Sequence, residues 1–255
     1  MVRAKKSYGQ HFLTSEDIAR RIADALTLTR ENPQVLEVGP GQGFLTKYLL
    51  EKKMDLKVVE ADHDMVDHLH KNYIQLHGKV IAEDFLKLDF DHAFPDGQFS
   101  IIGNFPYNIS SQIVFKMLDH RERIPELIGM FQKEMAERII ASPGGKDYGV
   151  ISVLAQAYYE GEYLFSVSNQ YFNPPPKVQS GVIRLTRKKE GIDCDPKLFK
   201  RIVKQAFSQR RKMLRNTLKP FFENDYLMSD DYFMKRPETL SVEEFVELTK
   251  KVNIK

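Results

Sequence analysis

The sequence predicts an α/β fold: an open, largely parallel sheet with helices on both faces, followed by a smaller all-helical domain. Short apolar runs of strand character alternate with helix-period segments of about ten residues from 18 to 140, the pattern of a parallel sheet. After 190 the strand signals stop and only helical periodicity remains. The length of 255 residues suits one large domain with an appendage.

The elements follow in order. Ile18, Ala19, Ile22, Ala23 and Leu26 recur at helical spacing, with Thr14 or Ser15 placed as the cap. Val35, Leu36 and Val38 form a short apolar strand that stops in Gly39-Pro40-Gly41-Gln42-Gly43, and 44–51 reads as the next helix. The alternation continues with strand 56–60, helix 63–76, strands 79–82 and 99–103, helix 110–118, strand 127–131 and helix 133–140. Two β-rich segments, 163–167 and 182–186, flank Tyr171-Phe172-Asn173-Pro174-Pro175-Pro176-Lys177 and read as a hairpin closing the sheet. From Pro196 the signals are helical, with breaks at Pro220 and Pro237. The predicted division is 1–189 and 190–255, with 188–196 as the link.

Composition narrows the class. Hydrophobic residues make up 42% and charged residues 29%, which excludes a disordered or fibrous chain. No apolar run reaches the roughly 18 residues of a spanning helix. The opening Met1-Val2-Arg3-Ala4-Lys5-Lys6 lacks the apolar core of a signal peptide. Cys194 is the only cysteine, which rules out an internal disulfide framework or a cysteine zinc site. A cytoplasmic protein without a membrane partner is expected. Net charge is +3, but unevenly spread: 187–255 holds 17 Lys+Arg against 11 Asp+Glu, and 197–219 has nine basic residues and no acid. Arg3, Lys5 and Lys6 form a second basic patch. Such patches fit a polyanion, most economically a nucleic acid, and equally a solvated helix face.

Ligands of parallel sheets sit beyond the carboxyl ends of the strands, so the residues just after each strand are the candidates. The Gly39–Gly43 turn has neither the G-x-G-x-x-G spacing nor the Lys-Ser/Thr that phosphate binding requires. It resembles the nucleoside-binding loop of S-adenosylmethionine methyltransferases, although the same residues would also make an ordinary tight turn. Glu60 ends the second strand, 21 residues after Gly39, where a carboxylate accepts from both hydroxyls of a ribose. Asp84 lies just past the third strand, placed to accept from an adenine amine. Three consecutive strand ends bearing Gly, Glu and Asp point to an adenosine moiety.

Gly103-Asn104-Phe105-Pro106-Tyr107-Asn108 follows the fourth strand and resembles the (Asn/Asp)-x-Pro-Tyr motif of amino-methyltransferases acting on planar nitrogen. An exocyclic purine amine is a poor nucleophile because its lone pair is delocalised into the ring. Two acceptors, the Asn104 side-chain oxygen and the Phe105 carbonyl, would hold its N–H groups and favour a pyramidal nitrogen, with no strong base required. Pro106 would stiffen the loop and Tyr107 would stack on the base. A plain Asn-x-Pro turn with a half-buried tyrosine is the alternative for the same residues.

Taken in order, seven segments resemble the ribosomal RNA adenine dimethyltransferases, specifically the small-subunit KsgA type, over nearly the whole chain. They are Tyr8-Gly9-Gln10-His11-Phe12-Leu13, Glu37-Val38-Gly39-Pro40-Gly41-Gln42-Gly43, Glu60-Ala61-Asp62 and Glu83-Asp84-Phe85. Gly103-Asn104-Phe105-Pro106-Tyr107, Phe172-Asn173-Pro174-Pro175-Pro176-Lys177-Val178 and the stretch from Phe207 to Asn216 complete the set. The resemblance implies a Rossmann-like sheet and S-adenosylmethionine held by His11, Leu13, Gly39, Gly41, Glu60, Asp84 and Asn104. It also implies a catalytic group of Asn104, Phe105, Pro106 and Tyr107, with Phe172 as a second aromatic wall opposite Tyr107. The residue-level alternative for Phe172 is core packing. His11 stands where the family often has Asn, and Phe105 where Leu is more frequent.

The basic stretch joins this picture. Val203, Phe207, Leu214 and Leu218 fit the inward stripe of one helix, leaving Lys204, Arg210, Arg211, Lys212 and Arg215 for RNA phosphates. The implied reaction is dimethylation of the N6 amines of two adjacent adenosines in the 3′-terminal hairpin loop of small-subunit ribosomal RNA, on an assembling 30S particle and by a monomer. No side-chain cluster suggests a metal. Related alternatives are the large-subunit adenine methyltransferase of macrolide resistance, a ribosome-assembly factor without catalysis, and protein-glutamine methylation.

Overall fold

Alternating strands and helices dominate the computed structural model, which describes residues 5, 9–27 and 32–252. Arg3, Lys6 and Tyr8 of the expected basic patch and first motif lie outside the described residues. By packing, the chain divides into one unit of Met1–Ala136 with Gly161–Arg187, and a second of Glu137–Glu160 with Lys188–Lys255. The sequence division at 189/190 kept 137–160 with the first part; by contacts this segment groups with the C-terminal helices, chiefly through α7 (Val150–Gln156) on α8 (Pro196–Ala206).

In the first unit, β1 (Phe12–Leu13) leads into α1 (Glu16–Asp24), where Ser15 accepts from the Ile18 N–H and Glu16 and Asp17 occupy the positive first turn. Its buried face is Ile18, Ala19, Ile22 and Ala23, four of the five residues that predicted the helix. Next come β2 (Gln34–Val38), α2 (Thr46–Leu50), β3 (Asp55–Val59), α3 (His63–Asn72), β4 (Val80–Ile81), α4 (Phe90–Ala93), β5 (Ser100–Asn104), α5 (Ser110–Asp119) and β6 (Glu126–Gln132), and α6 (Lys133–Ile139) runs across the division at Ala136. The helix expected over 63–76 ends at Asn72 and is followed by a single 3₁₀ turn, Ile74–Leu76. Tyr73 interrupts it, its hydroxyl donating to the carbonyl of Gln42 or Gly43 at 3.2 and 3.0 Å.

The sheet runs β4-β3-β2-β5-β6-β9-β7, with β7 spanning Tyr159–Val167 and β9 Ser180–Arg187. All pairs from β4 to β6 are parallel, and β9 is antiparallel to β6, with Gln132 opposite Ser180. The two closing strands are neighbours, as the hairpin reading expected. β5 and β6 are buried on both faces, which accounts for their unbroken apolar sequences. Because β3 and β5 both flank β2, the strand order reverses there, and a crevice opens at the carboxyl ends of β2 and β5. A separate two-stranded ladder, absent from the sequence reading, pairs β1 with β8 (Phe172–Asn173).

The second unit contains α7, α8, α9 (Leu214–Thr217), α10 (Asn224–Ser229) and α11 (Val242–Lys250). Asp195 caps α8 with Pro196 in its first turn, and Ser241 and Glu244 form a reciprocal capping box on α11. Phe199, Ile202, Leu214, Phe233 and Phe245 are fully buried. The single basic helix expected across 203–218 is interrupted. α8 stops at Ala206, a 3₁₀ turn covers Phe207–Gln209, and α9 starts at Leu214. Four adjoining residues without an apolar member, Gln209 to Lys212, cannot share one helix's inward stripe, while Phe207 turns toward Tyr148 and Phe245. Val203, Leu214 and Leu218 are nevertheless buried, as the stripe required.

Candidate active site

The loop after β2 is built for close approach. Gly39 and Gly43 close it through bonds to Val59 O and Pro40 O, both 2.9 Å. Gly41 has φ +54°, which strains any side chain, and a Cβ there would press on the Phe12 ring at 3.0 Å. A Cβ on Gly39 would lie 3.7 Å from Pro106, which puts the Asn104–Tyr107 turn directly beside the glycine loop. The topology demands this proximity, since β2 and β5 are adjacent parallel strands.

These two loops and their neighbours enclose a cavity of about 610 Å³. His11, Leu13, Gly39, Gly41, Glu60, Asp84, Asn104, Phe105, Pro106 and Tyr107 all line it. The sequence-derived cofactor residues thus come together, from five separate segments. Glu60 is almost fully buried; its two oxygens accept from Gly41 N (3.0 Å) and Asp62 N (2.9 Å), and the Ala61 main chain also bonds the carboxylate. Burial raises its carboxyl above the usual range despite these bonds. Asp84 Oδ1 accepts from Leu86 N at 2.9 Å, fixing the loop after β4.

Asn104 is oriented by its amide: Nδ2 donates to the His11 carbonyl at 3.0 Å, so Oδ1 is the acceptor left over. The Phe105 ring is interior, 1% exposed and edge-on to Phe131, so what this residue offers the cavity is its main chain. Tyr107 is half-buried, its hydroxyl 2.6 Å from Ser180 Oγ and its main-chain carbonyl accepting from Ser110 Oγ at 3.1 Å. The His11 ring stacks on Tyr107, centroids 5.4 Å apart and planes at 30°.

Phe172 departs from expectation. It is 4% exposed, belongs to the core with Leu13, Ile18 and Val182, and does not line the cavity. The antiparallel ladder sets Phe172 opposite Leu13, so the two side chains share a face and Phe172 packs into the core to which Leu13 also belongs. The ring facing Tyr107 is that of His11. The five basic residues expected to meet RNA lie in the second unit and none lines the cavity. Lys204, Arg210, Arg211 and Lys212 are exposed and Arg215 is half-buried; Arg210 also donates to the Gly145 carbonyl at 3.1 Å.

Three residues carry features that the sequence reading assigned to none of them, although Glu37 and Asp62 stand in two of its segments. Asp62, 1% exposed, caps α3 and accepts from Lys5 Nζ (2.6 Å) and Gln10 Nε2 (3.0 Å), which ties the segment before β1 to the cavity's rim. Burial opposes its charge, but those donors and Asp64 N hold its carboxyl below the usual range. An acid before a helical run is a cap signal that sequence alone offers. Glu37, 1% exposed, lines the cavity with Oε2 unpartnered. Burial, with the nearby charge of Glu60 and against the Thr46 hydroxyl, pushes its carboxyl up to about 8. Ser180 had no signal at all. Among the described residues no cluster of His, Cys, Asp and Glu is placed to hold a metal ion, and no helix is long and apolar enough to cross a membrane.

Comparison with known proteins converges on one family. The family model described as ribosomal RNA adenine dimethylase matches residues 1–251. The chain belongs to that family. It is 56% identical over 252 residues to the ribosomal RNA small subunit methyltransferase A of Flavobacterium johnsoniae, covering 98% of this chain and 96% of that one. The protein of the same name from Parabacteroides distasonis is also 56% identical, over 254 residues, covering 98% and 94%. Among solved structures, a dimethyladenosine transferase from Plasmodium falciparum matches with TM-score 0.77 at 27% identity, covering 93% of this chain and 96% of that one. The 23S rRNA methyltransferase ErmE shares the fold, with TM-score 0.71 at 24% identity, covering 94% and 99%.

As a member of this family the chain is an S-adenosylmethionine-dependent methyltransferase that acts on adenine in ribosomal RNA. The cavity fits that cofactor. A glycine cradle admits its backbone-close part, Glu60 and Asp84 suit the ribose and the adenine, and Glu37 adds an unpartnered oxygen among the lining residues.

Proposed function

We propose that this chain dimethylates the N6 amines of two adjacent adenosines in the 3′-terminal hairpin loop of small-subunit ribosomal RNA, four transfers per RNA. The observation that carries the reading is the orientation of Asn104. Its Nδ2 is committed to the His11 carbonyl, so Oδ1 is the acceptor it offers, beside a glycine loop against which Pro106 packs. No described residue hydrogen-bonds the Phe105 carbonyl, which supplies the second acceptor. When bound, S-adenosylmethionine supplies a methyl group activated by its sulfonium. Asn104 Oδ1 and Phe105 O would hold the two amine hydrogens and turn the nitrogen lone pair out of conjugation, while Tyr107 supports the face of the base. Each transfer gives a cationic nitrogen that sheds one proton to water, so after the first methyl one hydrogen remains and one acceptor must be released before the second transfer.

The name of the 56%-identical relatives supports the small subunit as the target, against the large-subunit activity named for ErmE. In this reading Lys204, Arg210, Arg211, Lys212 and Arg215, within an RNA-binding helical domain from 190 onward, hold phosphates, and RNA shape with extrusion of the adenines supplies selectivity. The protein would work as a monomer in the cytoplasm on an assembling 30S particle.

The test is labelled S-adenosylmethionine with unmodified small subunits, followed by nucleoside analysis. N6,N6-dimethyladenosine in the small-subunit RNA is the expected product. Primer extension on both subunit RNAs from a deletion strain separates the alternative: a modification stop missing only from the large-subunit RNA would reject the proposal.

A further inference from the structure

β9 runs antiparallel to β6, so its first residue, Ser180, stands opposite Gln132 at the carboxyl end of the parallel strands, where ligands bind. Ser180 is 0% exposed, and a hydroxyl in that setting is costly unless bonded. Its partner is the Tyr107 hydroxyl at 2.6 Å, reaching from the turn after β5. A phenolic oxygen lies on the long axis of its ring, so a bond there fixes where the axis points but not rotation about it. Rotation is restrained by the stacked His11 ring. That imidazole is held in turn: Nδ1 lies 2.8 Å from the Pro174 carbonyl, which only accepts, so Nδ1 carries the proton of that bond. The two restraints are complementary, and the main chain of Tyr107 is fixed separately by Ser110.

We propose that Ser180 is a positioning residue for the reaction, its buried hydroxyl aiming the Tyr107 ring on which the substrate base lies. The proposal rests on the reading of Tyr107 as the base platform. Most of the substrate's binding surface is elsewhere, so a misdirected ring leaves the RNA bound and spoils the approach of the nitrogen, an effect on turnover rather than on affinity. Burial raises the Tyr107 phenol, which keeps the O–H needed for this bond across the working pH range.

The experiment compares wild type with Ser180→Ala, Tyr107→Phe, the double variant and Tyr107→Ala on unmodified small subunits. S-adenosylhomocysteine binding by calorimetry and the melting temperature are measured alongside. Each hydroxyl deletion is expected to lower kcat about 3- to 10-fold, the range of one hydrogen bond, with KM and the cofactor-product Kd within about twofold of wild type. The double variant should be no worse than the weaker single one, because both remove the same bond. Unchanged kcat in Ser180→Ala and Tyr107→Phe, with collapse in Tyr107→Ala, would overturn the aiming role and leave the platform standing. Unchanged turnover in Tyr107→Ala would sink the platform itself. A parallel loss of S-adenosylhomocysteine affinity in Ser180→Ala would also overturn the proposal, since the bond would then be holding the cofactor cavity together.

Discussion

The carboxylates of the cavity and those of the C-terminal helices are treated in opposite ways. Around the cavity, Glu37 and Glu60 are buried and their carboxyls pushed up, and Glu37 Oε2 has no partner. In the helical unit, Glu243 and Glu244 open α11; a main-chain N–H chiefly pulls the first below its usual range, and the Lys235 ammonium chiefly pulls down the second. One region spends stability on groups that await a ligand, and the other uses its acids to hold itself together. The contrast extends to placement. Cavity residues sit at strand ends whose positions the sheet dictates, whereas Lys204, Arg210, Arg211 and Lys212 sit exposed around a broken helix. Such charges recognise a polyanion through number and density more than through individual geometry.

Three variants sharpen this comparison. The largest effect is expected from Gly41→Val, which forces a side chain into positive φ and onto the Phe12 ring. S-adenosylhomocysteine affinity should fall about 100-fold or more, measured by calorimetry, with RNA binding retained. Replacing Lys204, Arg211 and Lys212 together by Ala should do the reverse. RNA affinity is expected to drop about 10-fold near physiological salt, and the slope of log affinity against log salt to become shallower by roughly 2, with cofactor-product binding unchanged. If the triple variant impaired the cavity instead, the division of labour would be wrong.

The smallest effect concerns Glu37 and pH. Its folded-state carboxyl is raised from 4.5 to about 8, so the folded chain keeps a proton that the unfolded chain releases. The stabilisation this provides is complete below about 4.5 and is lost as pH rises through about 8. Glu37→Gln should therefore flatten the fall in melting temperature between pH 6 and 8.5 by roughly 5–10 °C. Glu60 is shifted in the same direction and leaves a residual slope. An unchanged slope in the variant would mean that Glu37 is already ionised in the fold.

Much of the site was legible because strand ends in a parallel sheet are fixed by topology. Once Val35–Val38, Leu56–Glu60 and the strand before Asn104 were recognised, the glycine turn, Glu60 and Asn104 had to converge. What escaped depends on pairings between distant segments. The ladder of Leu13 with Phe172 carries no local signal, yet it turns Phe172 into the core and makes His11 the ring beside Tyr107. The Ser180 hydroxyl escaped for the same reason, its partner being 73 residues earlier in the chain. In the second unit, apolar spacing correctly marked Val203, Leu214 and Leu218 as buried, but periodicity could not show that the helix breaks after Ala206. Helix α7 was missed altogether, its run Val150–Gln156 being too short and too evenly apolar to declare a period.

The account stands or falls on two oxygens presented to an amine beside the cofactor cavity. Single-turnover methyl transfer to unmodified small subunits by Asn104→Ala, with S-adenosylhomocysteine and RNA affinities measured in parallel, tests it most directly. A rate about 100- to 1,000-fold below wild type with RNA affinity retained is the expected result. Methyl transfer at the wild-type rate would contradict it.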